Sequence, residues 1–372
     1  MPSACIVGAG IAGLSCAWAL AKRGVTVTVI EKHAFATGAT IRNFGMVWPI
    51  GQPHGPRRQL ALRSRDLWLT LARESHMNAE PVGSLHLAYA DDEWQVLQEF
   101  AAGVGAEIGE ALSPTHTLAR CPHLRQDGLR GAFFSPHELC VDPRTTAAQF
   151  AEFLATQHNV TFHFDESVLT ATTGHVQTQR RSLQPDLICI CPGHDLSAPF
   201  AQLLAEAGAQ PVRLQMLRGK HPAAAAPMPH LCASLTFLHY PSFQSCPSYP
   251  SFQARMKHDF SEHLLHGIHV MAARHHDQTL TLGDSHHYGR HHSPYSSDHV
   301  DSLILQYLDR FLPTERLTIT QRWEGTYLKH PQHTHLLLNP AEGVYVFGAL
   351  GGAGMTLGPA LADDFAAEVA QR

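Results

Sequence analysis

The chain has 372 residues, of which 44% are hydrophobic and 16% charged. That is enough length and apolar content for two cored domains, and it excludes a disordered or low-complexity polypeptide. The formal net charge is −5 with histidine neutral, so no basic excess exists to neutralise a phosphate backbone and nucleic acid is not an expected partner.

Residues 4–7 (ACIV) read as a short buried strand, and 11–23 as an Ala- and Leu-rich helix that Gly24 closes by taking the left-handed cap. The apolar opening MPSACIVGAGIAGLSCAWAL lacks a basic n-region and is read as this strand and helix, not as a signal peptide. Residues 25–31 (VTVTVIE) alternate and are β-branched, giving a second strand and a compact βαβ unit. Glycine and proline make 36–56 a loop. Leu60, Leu67 and Leu71 set a helical spacing over 57–75. There follow a strand over 82–90, a helix over 91–103, a proline-interrupted connection over 113–125, strands at 131–135 and 139–141, and a helix over 145–157. Strands are expected at 160–164, 167–172 and 186–191, with several strand-like runs in 211–290. An amphipathic helix over 297–311, a buried strand at 344–347, a glycine turn over 348–354 and a helix over 357–371 complete the chain. No apolar run reaches the roughly 18 residues of a membrane span. No period of about 20–50 residues marks a repeat protein.

Gly8, Gly10 and Gly13 form a GxGxxG between the first strand and the first helix. The first glycine permits a tight turn, the second a close approach to a pyrophosphate, and the third close packing of helix on strand. Ile11 and Ala12 lie between them, where the helix N-terminus offers free N–H groups to phosphate. Glu31 ends the second strand, placed to bond a ribose 2′-hydroxyl. A second glycine turn, GALGGAGMT at 348–356, again separates a strand from a helix. Its helix N-terminus can face another acceptor-rich group, which a simple NAD dehydrogenase does not need.

Histidine is unusually abundant, at 28 residues, so the charge should swing from mildly acidic to strongly basic as pH falls through the histidine range. The pairs His275-His276, His286-His287 and His291-His292 sit among Ser, Asp and Arg and read as solvated loop histidines; no HExxH pattern occurs and no metal is expected. The eight cysteines show no CxxC. Cys189 and Cys191 would project from one face of a strand, and buried thiols in a reducing, cytoplasmic compartment are expected.

These motifs carry a resemblance. GAGIAG with Glu31, Gly38-Ala39-Thr40, Val141-Asp142-Pro143-Arg144, the run 186–193, Arg322-Trp323-Glu324-Gly325 and the closing GGAGMTLGPALA resemble the D-amino-acid-oxidase-like flavoprotein superfamily nearly end to end. That group includes glycine oxidase, sarcosine oxidase and D-amino-acid dehydrogenase. The segments RNFGMVWP at 42–49 and GDSHHYG at 283–289 resemble a narrower branch associated with phosphonate breakdown.

The resemblance implies an α/β fold with a Rossmann-like FAD-binding domain (1–56, 137–209 and 320–372) interleaved with a mixed-sheet α+β substrate domain (57–136 and 210–319). It implies FAD, which relatives of this fold can also hold covalently; no cysteine is placed persuasively for that here, so a non-covalent cofactor is expected, with Gly8, Gly10 and Gly13 at the pyrophosphate, Glu31 at the ribose and Lys32 near the adenosine. Thr40, Arg42 and Asn43 would lie along the pyrophosphate and ribityl chain, Val168 at adenine and Gly193 close to the cofactor. Gly352, Gly354, Met355 and Thr356 would meet the flavin pyrimidine edge.

The implied reaction is oxidation of a small primary or secondary amine with an anionic head, such as 2-aminoethylphosphonate or its N-methyl form. Hydride would pass to flavin N5, and the imine would hydrolyse to an aldehyde, with oxygen or another acceptor taking the electrons. The alternatives are glycine- or sarcosine-oxidase-like oxidation and a D-amino-acid dehydrogenase. An anionic head needs cationic donors. Arg322 and Lys329 flank Trp323 and Tyr327 in RWEGTYLK, a candidate pocket wall. A structural ion pair for Arg322 and a surface position for Lys329 are the ordinary alternatives. His286 and Tyr288 add imidazole and phenol, His194 follows Pro192-Gly193, and Trp48 packs more readily than it reacts. The segment PSFQSCPSYP at 241–250 matches no motif of the family.

Overall fold

The structure is a computed structural model and describes residues 2–75, 77–291 and 293–369. A six-stranded sheet runs in the order Leu336–Ala341, Val344–Gly348, Leu187–Ile190, Ser3–Val7, Thr26–Ile30, Thr161–His163. It is parallel except at the Leu336–Ala341 edge. The first strand is buried on both faces, which is why it reads as a continuous apolar run. Ala4 and Ile6 face a core shared with the helices Ile11–Ala21, Pro56–Ser75, Pro143–Gln157 and Gly354–Val369. Cys5 and Val7 face the small antiparallel sheet Val168–Thr172, His175–Thr178 and Ser182–Leu183. This is the period-two alternation of a strand.

A nine-stranded mixed sheet forms the second layer. Its order begins Glu110–Leu112, Gly131–Ser135, Ser84–Ala88, His230–Cys232, Met271–Arg274, Thr279–Gly283 and Gln210–Lys220. Gln210–Lys220 pairs also with His287–Tyr288 and, along its whole length, with Thr318–Lys329. Its main core is closed by the helices Asp91–Ala102, Ser234–His239, Tyr249–Asp259 and Asp298–Leu308. The two layers meet at Glu138, a fully buried carboxyl that accepts from the Ile50 backbone N–H at 3.1 Å and from Ser84 Oγ at 2.9 Å.

Several local expectations are corrected. Residues Pro114–Arg120 are helical: Ser113 caps the helix, accepting from His116 N at 3.3 Å, and Pro114 occupies the first turn. Proline there starts a helix instead of breaking one. The run 211–290 holds helices as well as strands, and 241–250 comprises the turn Pro241–Phe243 and the start of Tyr249–Asp259. Thr318–Lys329 and Leu336–Ala341 are strands that the sequence pattern does not announce. The last helix is Gly354–Val369, one turn earlier than expected; Gln371 lies outside the described residues. The helix Pro56–Ser75 packs in the core of the parallel sheet, although 57–136 is assigned above to the substrate domain. Trp68 anchors it, donating from Nε1 to Met355 O at 2.7 Å.

All eight cysteines are free and buried, and Cys189 and Cys191 project together with sulfurs 3.7 Å apart. The histidine pairs are not uniformly solvated: His275 is buried and bonded to Thr281 Oγ1 at 2.7 Å, and His286 is buried. His292 lies outside the described residues. No helix among the described residues is long and apolar enough to cross a membrane.

Candidate active site

A cavity of about 1260 Å³ opens between the two layers, above the range of roughly 300–1,000 Å³ for ordinary small-ligand pockets. One end is made of backbone. Gly8 sits at φ +103° against the neighbouring strand, where a Cβ would lie 2.4 Å from Cys191 O. A Cβ on Gly13 would lie 1.9 Å from Gly8 O, so only glycine lets the helix approach the strand. The helix Ile11–Ala21 starts at Gly10 with no side-chain cap, leaving N–H groups directed at the cavity. Thr40 Oγ1 accepts from Ile11 N at 2.9 Å, Glu31 accepts from Ala9 N at 2.8 Å, and Asn43 braces the next loop by donating to Ala39 O and Thr40 O. Lys32 pairs with Asp195 at 2.5 Å across the same opening. Gly352, Gly354, Met355 and Thr356 also line the cavity, and Thr356 Oγ1 accepts from Trp48 N at 2.9 Å.

The other end is made of side chains. His239 closes a short helix, His269 precedes the strand Met271–Arg274, and Asp284 and His286 follow Thr279–Gly283. Their rings lie close together, with centroids 3.8 Å apart and tilted by 33° for His239 and His269, and 5.1 Å apart and stacked for His269 and His286. Asp284 Oδ1 lies 3.2 Å from His269 Nε2, without hydrogen-bond alignment, and His286 Nδ1 lies 3.1 Å from Gly267 O. Burial pushes the His286 imidazole down to about 3 and holds His239 and His269 well below the usual histidine range, with the Lys329 charge adding to each. Burial also holds the Asp284 carboxyl well above the usual carboxylate range. Burial thus disfavours the charged form of each of these four groups.

The expected site residues divide accordingly. Gly8, Gly10, Ile11, Ala12, Glu31, Lys32, Thr40, Arg42, Asn43, Val168, Gly193 and His194 line the cavity, as do Trp48, His286, Tyr327 and Lys329. Gly13 lies behind it in the helix–strand contact. Arg322, Trp323 and Tyr288 are not among its lining residues. Arg322 bonds Asp301 at 2.9 Å with its side chain 55% exposed. Along Thr318–Lys329, positions of even and odd number face opposite ways, so Arg322 turns away from the face that carries Tyr327 and Lys329. Trp323 shares their face but donates to Arg42 O at 3.2 Å and packs on Leu214 and Met216. Tyr288 is 55% exposed. Sequence reasoning missed His239, Tyr240 and His269, and Asp284 lay within the motif at 283–289 without a role of its own. The available signal was a histidine inside an apolar run, GIHVM at 267–271, which is an expensive place for an imidazole without a task.

A glycine cradle, an uncapped helix N-terminus and a second glycine turn sharing one elongated cavity fit a dinucleotide carrying a further ring system. The sequence profile of the FAD dependent oxidoreductase (DAO) family matches residues 3–368. The chain belongs to that family. FAD is thus its cofactor, and it shares the mixed α/β fold of the family's solved members. It is 28% identical to the glycine oxidase of Geobacillus kaustophilus over 184 residues, 46% of this chain and 48% of that one. The matched stretches span less than half the length of the curated relatives. The structure superposes on L-proline dehydrogenase from P. horikoshii with a TM-score of 0.78 at 18% identity, covering 100% of this chain and 93% of the other. Glycine oxidase from Geobacillus kaustophilus gives 0.77 at 20% identity, covering 100% and 95%. At these identities the likeness is one of fold.

Proposed function

We propose that the protein oxidises a small primary or secondary amine bearing an anionic head, 2-aminoethylphosphonate or its N-methyl form. The single observation that carries this reading is the continuity of one cavity from the glycine cradle to Lys329 and the imidazoles. FAD, when bound, takes the hydride from the amine carbon, and oxygen or another acceptor takes the electrons onward. Gly8 and Gly10 leave room for the pyrophosphate, with Gly13 holding the helix against the strand; Glu31 and Lys32 meet the adenosine side, and Val168 the adenine. Thr40, Arg42 and Asn43 follow the chain between the rings, Gly193 lies alongside, and Gly352, Gly354, Met355 and Thr356 meet the flavin edge. Cys191 is the one cysteine lining the cavity among the described residues, and its sulfur turns into Cys189, which favours a non-covalent cofactor. Lys329 and Tyr327 hold the head, and Trp48 supplies an apolar wall. The FAD-binding part comprises 1–56, 137–209 and 320–372, the helix Pro56–Ser75 and the strand Thr318–Lys329 marking where its surfaces merge with the substrate part. Eight free buried thiols are consistent with a cytoplasmic site of action.

A second reading, oxidation of glycine, sarcosine or a D-amino acid, is favoured by the likeness to glycine oxidase. Anaerobic titration of the yellow holoenzyme separates the two. Bleaching near 450 nm by 2-aminoethylphosphonate or its N-methyl form, but not by glycine or D-alanine, is the expected result. Bleaching by the amino acids alone overturns the phosphonate reading and leaves the amine oxidoreductase standing.

A further inference from the structure

Two of the cations that line the cavity are left without a counter-charge. The cationic side chains there are Lys32, Arg42, Arg57 and Lys329. Lys32 pairs with Asp195 at 2.5 Å, and Arg42 donates to Glu324 O at 3.1 Å. Arg57 and Lys329 form no ion pair among the described residues. The remaining carboxyl groups of the cavity are engaged elsewhere. Glu31 accepts from Ala9 N and His33 N, Glu166 pairs with Arg181, and Asp284 lies beside His269 and His286.

The two unpaired cations stand apart. Arg57 is half-buried in the first turn of the helix Pro56–Ser75, and Gln52 lines the cavity just before that helix. Gln52 O accepts from Arg58 Nη2 at 2.9 Å and from Ser242 Oγ at 3.3 Å, which fixes the Gln52 backbone. Its carboxamide makes no hydrogen bond among the described residues, although the residue is only 7% exposed. The neighbouring Gly51 packs on Trp48 and Tyr240, where a Cβ would lie 2.7 Å from the Tyr240 ring. From Tyr240 the rings of His269, His286 and Tyr288 follow at centroid steps of 5.8, 5.1 and 6.4 Å, and the Lys329 ammonium lies 5.6 Å from the last of them. Arg57 and Lys329 thus mark the two ends of a row of rings.

A half-buried guanidinium without a counter-charge and a buried carboxamide without a partner both cost free energy that a ligand can return. A planar guanidinium fork beside an amide donor suits a carboxylate. We propose that Arg57 and Gln52 form a second anion subsite, which receives an acidic group carried on the other substituent of the amine nitrogen. The substrate class is then a secondary amine with an acidic arm on each side of nitrogen, one arm held at Lys329 and the other at Arg57. This rests on the amine oxidation proposed above and extends it: the head at Lys329 accounts for one unpaired cation and the second arm for the other. An N-methyl group in place of that arm leaves Arg57 and Gln52 to water.

Thioethers test this on the holoenzyme, because sulfur in place of the amine nitrogen leaves no amine to oxidise. The probes are 2-(methylthio)ethylphosphonate, its carboxymethylthio counterpart and the isosteric, uncharged carbamoylmethylthio counterpart, with binding read from the shift in flavin absorbance. The carboxymethyl ligand should bind roughly tenfold to a hundredfold tighter than the carbamoylmethyl one. Arg57→Met should retain FAD, erase that preference and weaken the methyl ligand far less, while Arg57→Lys should keep part of the preference. Equal binding of the carboxymethyl and carbamoylmethyl ligands to the native enzyme overturns the inference and leaves the phosphonate reading intact. So does Arg57-dependent binding of free acetate beside the methyl ligand with no gain from the carboxymethyl arm. Loss of FAD from Arg57→Met assigns Arg57 to the cofactor and overturns the inference as well. Thiodiglycolate and (methylthio)acetate separate the two claims. If no phosphonate binds, yet thiodiglycolate binds tighter than (methylthio)acetate through Arg57, the subsite stands and the phosphonate reading falls. If none of these ligands binds, both fall.

Discussion

The two ends of the cavity are built on opposite principles. The dinucleotide end uses backbone: glycines that make room, N–H groups at a helix start, and a few oxygen acceptors that brace the turn. Its parts lie mostly within the first 43 residues and in the run 348–356. The head-group end uses side chains delivered by four separated segments, namely the helix ending at His239, the approach to Met271–Arg274, the loop at Asp284–His286 and the strand ending at Lys329. The first end recognises a constant ligand through shape, and the second a variable one through charge. Damage to the first should therefore appear as lost cofactor and lost stability together, and damage to the second as altered substrate binding in a folded, yellow protein.

The sharpest way to break this contrast is Gly13→Ala. The added methyl collides with Gly8 O at 1.9 Å, between two rigid backbones. Loss of FAD absorbance and a stability loss of about 3 kcal/mol or more are expected, read by the 450/280 nm ratio and thermal melting. A folded, fully loaded variant would mean that the helix can shift without disturbing the cradle.

Glu138, at the joint between the layers, comes next. Burial raises its carboxyl from 4.5 to about 7, so the folded state binds a proton that the unfolded state has released. Stability from this group is present below about pH 4.5 and falls as pH rises toward 7, by on the order of 3 kcal/mol. Glu138→Gln should remove that decline, so the melting temperatures of native and variant protein should diverge between pH 5 and pH 7. Parallel curves would show that Glu138 is compensated by partners such as Arg58.

Lys329→Met should leave the cofactor bound and raise KM or Kd for an anionic amine by roughly thirtyfold or more, the cost of leaving one charge of a buried pair unmatched. A change in FAD content instead would move Lys329 to the other end of the comparison. Arg322→Ala should do least. Its side chain is 55% exposed while that of Asp301 is only 8% exposed, and Gln215 Nε2 also donates to Asp301 at 2.9 Å, so a stability change of about 1 kcal/mol and an unaltered KM are expected. A large rise in KM would restore Arg322 to the site.

How much of this was legible in the sequence follows the same division. The strand–glycine–helix–strand unit was readable because its signals are local: apolar runs, glycine spacing and a terminal acid within the first 31 residues. Pro114–Arg120 was not, since Ser-Pro serves equally as a break and as a helix start, and only the cap bond to His116 decides. Thr318–Lys329 was obscured because Thr318, Thr320, Gln321 and Arg322 are exposed and interrupt any apolar pattern, yet it spans the full length of Gln210–Lys220. Arg322 and Lys329 looked equivalent in RWEGTYLK until strand parity separated them. His286 was singled out by its motif, but His239 and His269 had no local mark tying them to it.

By itself, the sequence determined the cofactor end of this protein, because a phosphate cradle depends on backbone conformation and glycine spacing specifies backbone conformation within a few residues. Only the tertiary structure decided the head-group end. There, three imidazoles from separate segments are gathered and biased toward their neutral forms because folding removes them from water together, and neither burial nor that proximity is a property of any segment alone.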